Sequence, residues 1–187
     1  RQGRHGLLVT QGDRSAAPQI SSRVGLSRAA VEIDGSTDLR LLVRERWAGG
    51  HRVDYLIVDE AQFLTGHQVD QLAELVDESH VDVYAFGLTT DFRTRLFPGT
   101  QRLLEVADDV QRVQVEVLCW CGLPGLLNAR VVEGAMVRSG ETVVVADTAP
   151  AEHADAPAVR YQVLCRRHYV RGELGPTAAG PGQLALP

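Results

Sequence analysis

The sequence predicts an α/β protein: a parallel sheet flanked by helices, followed by a small β unit that carries all the cysteines. Three observations support this. Tyr55-Leu56-Ile57-Val58 is a short apolar run closed by two acids, Asp59 and Glu60, the pattern of a strand buried on both faces. Strand-like and helix-like segments alternate around it, as βαβ units require. Every cysteine falls in one of two close pairs of soft ligands, Cys119-x-Cys121 and Cys165-x-x-His168.

The elements follow in order. Gly6–Thr10 is a short buried strand, and 15–19 reads as loop. Ala30–Ile33 is a second strand. Asp34-Gly35 marks a turn, Ser36 or Thr37 offers a cap, and 39–47 carries apolar residues at helical spacing up to Gly49-Gly50. After the central strand, Thr65-x-x-Gln68 forms a capping box. Val69, Leu72, Leu75 and Val76 then make one apolar stripe of a helix over 68–78. Val81–Phe86 is the next strand, 98–107 a helix and 110–117 a further strand. Beyond Leu118 a hairpin is expected, 129–137 pairing with 141–146. A loop rich in Ala, Asp and Pro follows over 147–158, and the tail from Gly175 reads as disordered. The domain limits expected are 1–117, 118–172 and 173–187.

Composition narrows the function classes. Hydrophobic residues make 44% and charged residues 23% of 187, ordinary for a soluble globular protein. No apolar run has the length of a membrane span, and no secretory signal is evident, so a cytoplasmic setting without a membrane partner is expected. A net charge of −5 argues against a nucleic-acid partner. The chain has no lysine; all 19 of its Lys+Arg residues are Arg.

Ligands of open α/β sheets bind at the carboxyl ends of the strands, where Asp59 and Glu60 fall. Asp59 suits a role holding Mg²⁺, and Glu60 suits a general base. The alternative is a pair of acids at a helix start. In the loop 87–97, Phe92 and Phe97 either staple the loop to the core or line an apolar slot for a planar ring. Arg23, between Ser and Gly, either reaches a phosphate or is solvated. Cys119, Cys121, Cys165 and His168 match a closed tetrahedral Zn²⁺ site, which is structural rather than catalytic.

Together these motifs resemble the type II thymidine kinases, a zinc-containing family related to the P-loop enzymes. The marks are Asp13-Arg14, Ser22-Arg23-Val24-Gly25, the D-E-A-Q-F run at 59–63, G-L-x-x-D-F at 87–92, Phe97, Cys121-Gly122, Asn128, Arg130, Tyr161 and C-R-x-H-Y at 165–169. The resemblance covers roughly 4–171. It implies a RecA-like parallel-sheet domain with a zinc-ribbon-like subdomain and a lasso loop. It also implies transfer of the ATP γ-phosphate to the 5′-hydroxyl of thymidine. Glu60 then matches the base and Asp59 the acid on Mg²⁺, while Asp59, Glu60, Ala61 and Gln62 border ATP. Phe63, Leu88, Phe92 and Phe97 match positions enclosing thymine, Tyr161 belongs to the lasso, and Asn128 sits near the methyl group of the base. A homotetramer is implied as well.

The sequence departs from the family in one respect. The first strand and the G-x-x-x-x-G-K-[ST] phosphate loop do not occur in it. The expectation is therefore an N-terminally truncated chain with little or no kinase activity alone, which robust thymidine-dependent ATP turnover by the 187 residues would refute. Two other readings compete. D-E-A-Q also resembles the acidic motif of helicase-type ATPases, and a zinc-stabilised remnant that binds nucleoside without turnover is the third possibility.

Overall fold

The computed structural model describes residues 3–11, 19–21, 27–112, 117–141 and 159–176. They belong to two compact units, Arg1–Thr89 with Leu96–Val110, and Thr90–Arg95 with Gln111–Pro187. Of the expected features, Asp13-Arg14, Ser22-Arg23-Val24-Gly25, the 147–158 loop and the tail beyond Pro176 lie outside the described residues.

The first unit is built on a four-stranded, all-parallel sheet. Its strands are β1 (Gly6–Gln11), β4 (Val31–Ile33), β5 (Tyr55–Asp59) and β6 (Asp82–Ala85), in the order β4-β1-β5-β6. A short antiparallel pair, β2 (Gln19–Ser21) with β3 (Ser27–Ala29), is not among the expected elements and meets the expected loop 15–19 only at Gln19. Its strands are three residues each, too short for a period-2 pattern to register. Val9, Leu56 and Val58 are fully buried at the centre of the sheet. Each contributes about 1.5–3 kcal/mol by leaving water.

Three helices accompany the sheet: α1 (Leu39–Ala48), α2 (Gly66–Ser79) and α3 (Pro98–Val106). The cap of α1 is Asp38, not Ser36 or Thr37. The Asp38 carboxylate accepts from the N–H groups of Arg40 and Leu41, while Ser36 and Thr37 donate to Asp34 within the preceding turn. The capping box of α2 forms as expected: Gln68 N–H donates to Thr65 Oγ1 and Thr65 N–H to Gln68 Oε1. The helix begins earlier than the apolar stripe indicated, because Thr65 rather than the first apolar residue sets the start.

Leu39, Val43, Leu64, Val69, Leu72 and Leu75 fill the layer against the sheet. Two buried glutamines stitch α2 to its surroundings. Gln71 Oε1 accepts the N–H of Leu39, and Gln68 Nε2 donates to the carbonyls of Asp34 and Thr37. These bonds satisfy polar groups that would otherwise cost free energy inside the core.

The second unit contains a three-stranded antiparallel sheet, β8 (Ala135–Val137), β7 (Leu127–Val132) and β9 (Val159–Leu164), in the order β8-β7-β9. The expected strand 129–137 is not continuous, and its expected partner, 141–146, lies outside the described residues beyond Glu141. The turn falls at Glu133 and Gly134, both at positive φ, so β7 pairs with β8 on one side and with β9 on the other. Of the strand expected over 110–117, residues 113–116 lie outside the described residues, and 110–112 and 117 are not in a strand. Helix α4 (Arg166–Arg171) follows β9 directly and ends at Gly172, whose φ is 72°.

Candidate functional site

In the first unit, the central strand delivers two acids in different conformations. Asp59 ends β5, and its Oδ1 accepts the N–H of Glu60 at 3.0 Å. Glu60 itself has φ 54° and ψ 34° and caps a 3-10 turn, Ala61–Phe63. That left-handed conformation is costly for a residue with a side chain, of order 1 kcal/mol or more, and such strain clusters at working sites. The turn is held from the next strand: Ala61 N–H donates to the carbonyl of Phe86, and Phe86 N–H to that of Val58.

Gln62 connects this corner to the loop after β6. It is 1% exposed. Its Nε2 donates to Glu60 Oε2 at 2.5 Å, and its Oε1 accepts the N–H of Leu88 at 3.0 Å. Gly87 is needed beside it, because a Cβ there would lie 2.5 Å from Gln62 Oε1 and 2.9 Å from its backbone N. Ala61 and Gln62, expected at the border of the ATP site, are both buried. The signal for the role of Gln62 was only its position two residues after Glu60.

The predicted ring positions divide between the units. In the first, Phe63 and Phe97 meet edge to face with centroids 5.6 Å apart, while Leu88 is half exposed. Gly99 lets the start of α3 approach the 3-10 turn, since a Cβ there would be 2.6–2.8 Å from the carbonyl oxygens of Leu64, Ala61 and Gln62.

In the second unit Phe92 is buried, and its carbonyl accepts the Tyr169 hydroxyl at 2.5 Å. Asn128 lies on β7 opposite Val163, and Tyr161 on β9 opposite Arg130. Asp91 anchors the turn that carries Phe92, accepting from the N–H groups of Arg93 and Arg95 and from the Arg93 guanidinium. Burial pushes its carboxyl up, but these donors outweigh burial and hold it below the ordinary value.

The second unit also gathers Cys119, Cys121, Cys165 and His168, whose ligand atoms all lie within 4.8 Å of one another. Cys119 Sγ is 3.3 Å from His168 Nδ1, and Cys121 Sγ is 3.9 Å from Cys165 Sγ. Tetrahedral zinc with Zn–S near 2.3 Å puts its sulfurs about 3.8 Å apart. The N–H of His168, chief among several donors, holds the Cys165 thiol below its usual value. Cys121 moves the other way: the Leu123 N–H lowers it, but burial and the neighbouring sulfurs outweigh that and raise it. Thiols this crowded cannot all ionise unless a cation sits among them.

The donor set therefore fits a closed, structural Zn²⁺. The role of Trp120 there was not legible in the sequence. The side chain stacks on the His168 ring, with centroids 4.2 Å apart and planes 11° from parallel, and its indole N–H reaches the carbonyl of Glu173.

Among the described residues no helix is long and apolar enough to cross a membrane. The family model described as "Thymidine kinase" matches residues 7–169. A thymidine kinase of Streptomyces avermitilis is 51% identical over 170 residues, 91% of this chain and 77% of that protein. Its counterpart in Streptomyces coelicolor is 50% identical over 177 residues, 95% of this chain and 80% of that protein. One from Cutibacterium acnes is 48% identical over 172 residues, 92% of this chain and 77% of that protein. With the family model spanning nearly the whole chain and relatives this similar, the chain belongs to the thymidine kinase family.

Proposed function

We propose that the protein is a thymidine kinase, moving the γ-phosphate of ATP to the 5′-hydroxyl of thymidine. One observation carries the reading beyond family membership: the Glu60 carboxylate stands at the carboxyl end of the sheet, held through Oε2 by a buried glutamine. Among the described residues no hydrogen bond engages Glu60 Oε1. That oxygen takes the hydroxyl proton as the nucleophile attacks, in the role of a general base.

Phosphoryl transfer asks a protein for positioning and charge neutralisation more than for covalent help. Asp59 would hold Mg²⁺, since its Oδ1 is used by the Glu60 N–H and a single further oxygen suits an ion that keeps several waters. Mg²⁺, when bound, supplies neutralisation of the phosphate charge. ATP is assigned to the border formed by Asp59–Gln62. Thymidine binding is assigned to Phe63, Leu88, Phe92, Phe97, Asn128 and Tyr161. Zn²⁺ on Cys119, Cys121, Cys165 and His168 holds the second unit together. The protein acts in the cytoplasm and assembles as a homotetramer, in line with the family resemblance.

The test is formation of thymidine monophosphate from labelled ATP by the full-length gene product. Thymidine-dependent transfer is expected, with no stimulation by single-stranded nucleic acid. ATP turnover that needs nucleic acid and ignores thymidine would contradict the reading.

A further inference from the structure

Arg130 lies in the middle of β7 and is 3% exposed. Burying a guanidinium is expensive unless its donors and its faces are used. Here they are used on residues with a proposed role. The guanidinium carbon sits 3.7 Å from the centroid of the Phe92 ring and 5.6 Å from that of Tyr161. Nε donates to the Tyr161 hydroxyl at 3.1 Å, and Nη1 donates to the carbonyl of Glu141 at 2.7 Å.

Phe92 is thus fixed twice, by the guanidinium at its ring and by the Tyr169 hydroxyl at its carbonyl. Tyr161 faces Arg130 directly across the β7–β9 ladder, so its hydroxyl is held by a cross-strand bond rather than turning freely. One planar cation therefore sets the ring of Phe92, the hydroxyl of Tyr161 and the backbone at Glu141.

We propose that Arg130 is the positioning residue of the nucleoside site, acting on thymidine through Phe92 and Tyr161. The inference rests on the reading above that these two residues bind thymidine. A guanidinium suits the task because its plane stacks on a ring while its edge offers separate donors, which a lysine ammonium cannot reproduce.

The test is a calorimetric titration of zinc-loaded protein with thymidine, with zinc content and melting temperature measured alongside. Arg130→Met is expected to weaken thymidine binding by about tenfold or more, the scale of one lost charge-assisted hydrogen bond. Arg130→Lys keeps the charge and is expected to restore little of this, and it carries the test should the Met variant fail to fold.

Tyr161→Phe removes the hydroxyl that Arg130 holds. The two changes together are expected to cost less than the product of their separate effects, because they break one shared bond. A merely structural arginine would lower the melting temperature without that coupling. Thymidine binding within about twofold of wild type in the folded Lys variant, or independent effects of Arg130 and Tyr161, overturns the proposal. Absence of thymidine binding in the wild-type protein overturns the functional reading as well.

Discussion

The two units are held together by different physics. Among the described residues, the sheet unit buries fourteen in one apolar cluster, from Leu7 to Val81. The second unit's cluster has five among its described residues, and Cys119 and Cys165 are two of them. A unit with so small a core gains stability from cross-links or metal rather than from area. The first unit should therefore respond to cavities and the second to loss of ligands.

The largest expected effect is on the second unit. Chelation of zinc, or Cys165→Ser, should unfold β7–β9 and α4, since a structural zinc is worth on the order of 10 kcal/mol. Hydrogen exchange should show protection lost over 127–137 and 159–171 while β1 and β5 keep theirs. Equal loss in both units would erase the distinction drawn between them.

The converse change is Leu56→Ala. Leu56 is fully buried in β5, so the cavity should cost about 2–5 kcal/mol. Thermal unfolding of the sheet unit should shift down while zinc content stays at one per chain.

A smaller effect sharpens the comparison by pH. Asp91 is held below its ordinary carboxylate value of 3.8. The stability this supplies is complete above that value and is lost as pH falls through the lower, folded value. Asp91→Asn should cost about 1–3 kcal/mol near neutrality, the scale of hydrogen bonds to a charged group. The difference from wild type should close in acid, as denaturation at a series of pH values would show.

The sequence was most legible where one rule acted locally. The run closed by Asp59 and Glu60 marked the central strand, Thr65-x-x-Gln68 marked a real capping box, and the two cysteine pairs marked four side chains that the fold gathers into one cluster able to hold a metal. It was least legible where pairing is set at a distance. β9 could not be read because its partner, β7, lies across 26 residues of intervening chain (133–158), and β2 and β3 are too short to show a period.

Side-chain roles followed the same division. Glu60 stood out by its place at a strand end. Gln62 and Arg130 did not, because their roles depend on what folding brings beside them: Leu88 for one, Phe92 and Tyr161 for the other. Arg130 stood only among the marks of the family resemblance, with no sign that this cation is buried.

The most direct test of the account is Glu60→Gln in the full-length gene product. Phosphate transfer to thymidine should fall by about 10²–10⁴-fold while thymidine affinity changes by less than about threefold, as removal of a general base requires. Transfer at the wild-type rate by this variant would contradict the role given to Glu60 and the proposed mechanism with it.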